Sequence, residues 1–170
     1  QIMAKSTRQY VFEGMELLPD ALIPFVEKRF ESSIKGHWQV EVGEKIRDLK
    51  PNKKGELKWD QPSLFATMNV YWDTAFRNVL GKTDRAIVNE LSDVRNKLSH
   101  NEKFSYDDAE RALDSMRRLM DSISAGEAST EIGKMRATIL RTKFTELQRK
   151  EERRKTQKPE ISVETPSGLL

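Results

Sequence analysis

The 170-residue chain contains no cysteine. That excludes a disulfide framework, a thiol nucleophile and a thiolate zinc site, and it fits a reducing compartment. Histidine is almost as scarce: His37 and His100 are the only two, and neither has a second histidine three or four residues away to share a metal ion. No apolar run approaches the roughly 18 residues that cross a bilayer, and the N-terminus carries no apolar signal core. These absences lead us to expect a cytoplasmic protein with no membrane contact, no metal and no cofactor. An excess of one charge is missing too, since 30 Lys and Arg stand against 27 Asp and Glu, a net of +3. Polyanion binding would therefore depend on local clustering, not on bulk charge. The densest basic run, QRKEERRKTQK at 148–158, is interleaved with glutamates and reads as a solvated helix end at least as well as a nucleic-acid contact.

What is present is helical periodicity. In residues 8–34 the apolar positions Val11, Met15, Leu18, Leu22, Phe25, Val26 and Phe30 recur every three or four residues, the spacing of one helical face. Pro19 and Pro24 interrupt that stripe, which predicts a kinked helix or two short ones. Residues 35–62 are broken by glycine and proline; a short helix over 38–49 competes with a strand-like alternation at Val40 and Val42, and Trp38 and Trp59 are expected to pin the segment to the core. A second helix runs from Ser63, with Leu64, Phe65, Met68, Tyr71, Trp72, Ala75, Phe76, Val79 and Leu80 as a broad stripe, and stops at Gly81 as C-cap. A third spans about 84–98, N-capped by Thr83 or Asp84. A fourth spans 105–123, opened by a Ser105/Asp108 capping box.

Ser124 and Glu127 suggest another capping box for a last helix. Its stripe is Ile132, Met135, Ile139, Leu140, Phe144 and Leu147, and it fades by about residue 154. Convincing strands are absent, so the expected class is all-α, a bundle of four to five helices with a long C-terminal helix. Residues 1–7 read as an N-terminal tail with Met3 as a natural start, 8–123 as the helical core, 124–154 as the extending helix and 155–170 as a linker.

Two patterns could carry chemistry. GKT at 81–83 mimics the end of a phosphate-binding loop, but Phe76 stands where that loop needs its first glycine and a helix precedes it where a strand is required. The second is Arg95 and His100 in DVRNKLSHN. A five-residue offset leaves two side chains roughly 140° apart on an ideal helix. They can converge only if the helix ends near Ser99, where Asn101 is a suitable C-cap. The alternative is a surface salt bridge for Arg95 and a helix-capping role for His100.

The stretch NELSDVRNKLSHNEKFSYDDAERALDSMRRLM, residues 89–120, resembles the HEPN superfamily (higher eukaryotes and prokaryotes nucleotide-binding), and within it the Swt-type branch. Its hallmark is an R-x4-6-H motif near a helix end with a polar residue after the arginine, matched here by Arg95, Asn96 and His100. MELLPDALIPFVEKRF and KWDQPSLFATMNVYWDTAFRNVLG are similar to that branch's first two helices, so the resemblance covers about residues 8–150. One departure is Leu98-Ser99, where the branch has Trp-Ala; it changes the packing around the motif and leaves the pair intact. The resemblance implies a HEPN-like bundle that works as a homodimer, with the two motifs meeting across the interface. It also implies a metal-independent endoribonuclease acting on RNA, often as the N-terminal module of a large prokaryotic ATPase in antiphage defence. ISVETPSGLL is similar to the stretch leading into that ATPase region.

The residue types suit the chemistry the resemblance implies. RNA carries its own nucleophile, the 2′-hydroxyl, so a cleaving site needs proton transfer and stabilisation of a charged phosphorane. Imidazole exchanges protons around neutrality, which suits His100 to the proton transfer. Arg95 can fork onto phosphate oxygens, and Asn96 can orient the phosphate or the histidine. Glu90, on the turn before Arg95, would position it, and Asn101 would support the helix end. The competing reading is a non-catalytic dimerisation or RNA-sensing module, because a fold outlives its activity in many families.

Overall fold

The computed structural model describes residues 5–157, and among them there is no strand, only an isolated bridge between Pro51 and Leu57. The helices are α1 (Thr7–Ser33), α2 (Trp38–Lys45), α3 (Gln61–Val70), α4 (Lys82–Ser99), α5 (Tyr106–Ser122) and α6 (Gly126–Gln157), with a π-helical turn at Trp72–Phe76 after α3. The expected all-α bundle with a long last helix is what forms; α2 and the π turn are additions to it.

α1 is one continuous helix despite its two prolines. Pro19 cannot donate to the carbonyl of Met15, which would strand a buried acceptor. Gln61, from the start of α3, supplies the donor instead: its Nε2 lies 2.9 Å from Met15 O. Pro24 frees the carbonyl of Asp20, an exposed residue. The expectation of two short helices fails because a side chain 46 residues away replaces the lost hydrogen bond. Of the expected N-terminal tail, residues 1–4 lie outside the described residues, while Lys5 pairs with Glu13 at 2.9 Å, Ser6 caps α1 and Thr7 begins it.

The stripe of α1 (Val11, Met15, Leu18, Leu22, Val26, Phe30) is fully buried and faces α5. Gly14 sets how close the two helices come: a Cβ there would sit 2.7 Å from Met116 Sδ and 2.9 Å from Leu113 Cδ2. α5 lies at the centre, against α1, α4 and α6, and buries Ala109, Ala112, Leu113, Met116, Leu119 and Met120.

Trp38 and Val42 of α2 are buried while Val40 is exposed, so the helical period decides this segment. Trp38 packs on Phe30 at 5.3 Å, and Trp59 donates its indole N–H to Glu27 at 3.0 Å, so both tryptophans do tie the loop down. The second helix is shorter than its stripe predicts. At Tyr71 the backbone leaves helical geometry, and Arg77 N–H reaches back five residues to Trp72 O. The wider turn lets Tyr71, Trp72, Ala75 and Phe76 all go inside, with Phe30 edge-on to the rings of Tyr71 and Phe76. Val79 falls outside the stripe and is exposed.

Two caps also differ from expectation. Gly81, at φ −92°, is not a left-handed C-cap but the N-cap of α4, and its N–H donates to Asp84 Oδ2 at 2.8 Å. Ser124 does not open α6. It takes the left-handed conformation (φ 61°) that closes α5, where Ala125 N–H bonds Met120 O and Ser124 N–H bonds Asp121 O, leaving Ala125 to receive the first bond of α6 from Ser129. The Ser105/Asp108 capping box of α5 forms as expected. Finally, Ile132 and Ile139 of α6 are buried, but Leu140, Phe144 and Leu147, read as core from their spacing, are 38%, 62% and 54% exposed. The helix continues to Gln157, past the boundary expected near 154, so the first three residues of the expected linker are helical; the rest of it lies outside the described residues.

Candidate functional site

α4 carries the motif because its other side is apolar: Ile87, Val88, Leu91 and Leu98 face inward and leave Arg95, Asn96 and His100 toward the surface. The helix then stops where expected. His100 is the C-cap, Asn101 turns left-handed (φ 57°), Asn101 N–H bonds Leu98 O at 3.1 Å and Glu102 N–H bonds Lys97 O at 3.1 Å. This paired closure is a Schellman motif, and asparagine is one of the few residues that enters it cheaply.

Termination does not bring the two motif side chains into one cleft. His100 N–H still bonds Asn96 O at 3.0 Å, so His100 keeps the helical register and stays on the side of Asn96. Arg95 shares its side with Ser99, and those two line an open cleft of about 470 Å³ that neither Asn96 nor His100 reaches. Asn96, His100 and Asn101 are exposed and Arg95 is half-buried.

Among the described residues, the side chains of Arg95, Asn96 and His100 make no hydrogen bond and no ion pair. The surface salt bridge considered for Arg95 does not form among the described residues. Glu90 does not position Arg95 either: its Oε1 accepts from Arg111 Nε of α5 at 2.8 Å, and the carboxylate raises the Arg111 pKa. Glu90 and Arg95 are five residues apart, which on a continuous helix points them away from each other.

Neighbouring elements hold the helix end. Arg8 Nη2 of α1 donates to Leu98 O at 2.7 Å, a cation at the negative end of α4. Thr7 Oγ1 donates to Phe104 O at 2.7 Å. Lys97 reaches Asp108 at 3.4 Å and lies over the Phe104 ring. The Asp108 carboxyl is held below its ordinary range, first by the Ser105 hydroxyl and backbone and then by Lys97. Sequence reasoning missed Arg8, because its partner is 90 residues away and nothing local marks it.

The cleft has three walls: α1 with Arg8, Phe12 and Glu16; the entry to α3 with Trp59, Asp60 and Gln61; and the end of α4. Glu16 accepts from Gln61 Nε2 at 3.2 Å and Asp60 accepts from Ser63 N–H at 2.8 Å, so both carboxylates serve the fold. Phe12 is 47% exposed. Among the described residues no three His, Asp or Glu side chains gather to hold a metal ion, and no helix is long and apolar enough to cross a membrane.

Comparison with known proteins gives one family: residues 13–124 match the model of the Swt1-like HEPN domain. No curated protein and no solved structure matches the chain.

Proposed function

Because the chain belongs to the Swt1-like HEPN family, we propose that it is an RNA-directed domain, a metal-independent endoribonuclease that works as a dimer through Arg95, Asn96 and His100. One observation carries the reading. At the end of α4 the side chains of Arg95, Asn96 and His100, able to bind phosphate and move protons, make no hydrogen bond or ion pair among the described residues, whereas Glu90, Lys97 and Asp108 are paired. In the proposed reaction the 2′-oxygen attacks phosphorus and its proton passes to one His100 imidazole. The bond to the 5′-oxygen breaks, and that oxygen takes a proton from the second copy's imidazolium. Arg95 neutralises the phosphorane oxygens, leaving a 2′,3′-cyclic phosphate and a free 5′-hydroxyl.

A second copy is part of the proposal because a single copy holds Arg95 in the cleft and His100 outside it. The exposed stripe Leu140, Phe144 and Leu147 gives an apolar surface at the same end of the molecule: Lys143 pairs with Asp107 beside the start of α5, next to the motif helix. The same separation of Arg95 from His100 also favours the second reading, a dimerisation or RNA-sensing module without cleavage. The family resemblance supports placing either activity in a larger ATPase of antiphage defence, the domain at its N-terminus.

The deciding experiment incubates labelled single-stranded and structured RNAs with the protein in EDTA, alongside His100→Ala. Cleavage to cyclic phosphate ends by the wild type, lost in the variant, is the expected result. A folded dimer that binds RNA and cuts none of it would establish the sensing module instead.

A further inference from the structure

We infer that the cleft beside Arg95 seats one nucleotide of a single-stranded RNA, with its base between Phe12 and Trp59 and its phosphate on Arg95. The inference rests on the RNA-directed reading above and adds to it a base-binding cleft on the Arg95 side of the R-x4-H motif. Four charged side chains border the cleft, and three are committed: Arg8 to Leu98 O, Glu16 to Gln61 and Asp60 to the α3 cap. Arg95 has neither a hydrogen-bond nor an ion-pair partner among the described residues, and Arg8 gives Nη2 to a backbone carbonyl while its buried Nε has no partner, so the cleft offers a ligand two guanidinium groups, of which Arg95 is the freer. A guanidinium of that kind suits a phosphate diester.

The remaining walls suit a flat ring. Phe12 of α1 is 47% exposed although it belongs to a helix whose other aromatics are half-buried or buried, and Trp59 faces the same cleft with its N–H already bonded to Glu27. With the indole N–H occupied, what Trp59 can offer a ligand is ring surface, and aromatic surface beside a cation is how unpaired bases are held. The volume, about 470 Å³, lies within the range of small-ligand clefts, about 300–1,000 Å³. Ser99, on the same helical side as Arg95, adds a hydroxyl at the rim. The nucleotide would then lie on the Arg95 side of α4, with the His100 of the same copy roughly 140° around the helix from it. The 3′-phosphate seated on Arg95 would thus be the scissile one, with the base on its 5′ side held in the cleft and the imidazoles brought to it in the proposed dimer.

The test titrates the protein with uridine 3′-monophosphate, adenosine 3′-monophosphate, inorganic phosphate and a short single-stranded RNA by calorimetry, and follows Trp59 fluorescence with Trp59→Phe as the blank. Saturable quenching by a mononucleotide is expected, with binding weakened roughly tenfold in Phe12→Ala, as for loss of one base stack. Phe12→Tyr should restore it, and Val40→Ala, on an exposed position of α2 away from the cleft, should leave it unchanged. Phosphate binding as tightly as the mononucleotides, or an unchanged Phe12→Ala, overturns the base seat. A free mononucleotide that binds far more tightly than the strand would overturn the assignment to RNA. Suppose RNA is cut in a His100-dependent way while Phe12→Ala leaves KM untouched: the ribonuclease reading then stands and the seat falls. If the mononucleotide binds as described and no RNA is cut, the seat stands and cleavage falls.

Discussion

α4 and α5 end with the same backbone device and use it for opposite purposes. Each closes on a left-handed residue, Asn101 or Ser124, with paired hydrogen bonds back to the last turn. At the end of α5, Ser122 donates to Asp84 at 2.6 Å and Asp121 accepts from Ser129 and from Arg117, while the Ser124 hydroxyl makes no hydrogen bond among the described residues. After α4 the side chains of Asn96, His100 and Asn101 engage nothing among the described residues. The capping geometry is therefore structural in both places. What differs at the end of α4 is that a histidine and two asparagines, groups able to exchange protons or bind phosphate, make no side-chain bond among the described residues.

The largest expected effect separates the two ends by kind. His100→Ala should lower RNA cleavage by about 10²–10⁴-fold, the usual share of a general acid or base, and leave the melting temperature unchanged. Asp121→Ala should do the reverse, costing about 1–2 kcal/mol of stability by chemical denaturation with cleavage intact. If His100→Ala melts early, the α4 end is as structural as the other and the comparison breaks. Next in size, Phe144→Asp should leave a monomer by light scattering and abolish cleavage if the proposed dimer forms through this stripe, at a cost of less than about 0.5 kcal/mol in folding because the ring is 62% exposed.

A smaller effect sharpens the contrast between the two left-handed residues. Serine enters that conformation less readily than asparagine, so Ser124→Gly should stabilise by up to about 1 kcal/mol and Asn101→Gly by less. Smallest is the acid dependence at the start of α5. The Asp108 carboxyl is lowered from 3.8, so its contribution is complete above that unfolded value and disappears as pH falls through the folded one. Ser105→Ala should cost about 1 kcal/mol at neutral pH. The gap between variant and wild type should narrow below about pH 4, as followed by thermal melts.

The sequence was most readable where structure is set within a turn or two. α5 shows this best, because Ser105, Asp108 and an uninterrupted apolar period specify its start and its buried side. The end of α4 was legible for the same reason, through Asn101. Distant partners were not legible. Pro19 looked like a break because Gln61 could not be foreseen as its compensation, Glu90 was assigned to the nearest arginine and instead meets Arg111, and Arg8 reaches Leu98 from the far end of the chain. Ser124 misled because serine followed three residues later by glutamate has the same form whether it opens a helix or closes the previous one. The π turn went unseen since Tyr71, Trp72, Ala75 and Phe76 fit an ordinary helical stripe. Leu140, Phe144 and Leu147 show the converse limit: periodicity identifies an apolar side without saying what will cover it.

The reach of α6 beyond its packing bears on how this domain unfolds. Every residue from 148 to 157 is exposed, a helical stretch of about 15 Å that no other described element supports. Those last turns are free to fray without disturbing the core, so the chain has two levels of cooperativity. Far-ultraviolet ellipticity should begin to fall before the near-ultraviolet signal of Trp38 and Trp72. Protection against amide exchange should drop steeply along α6 past Leu147.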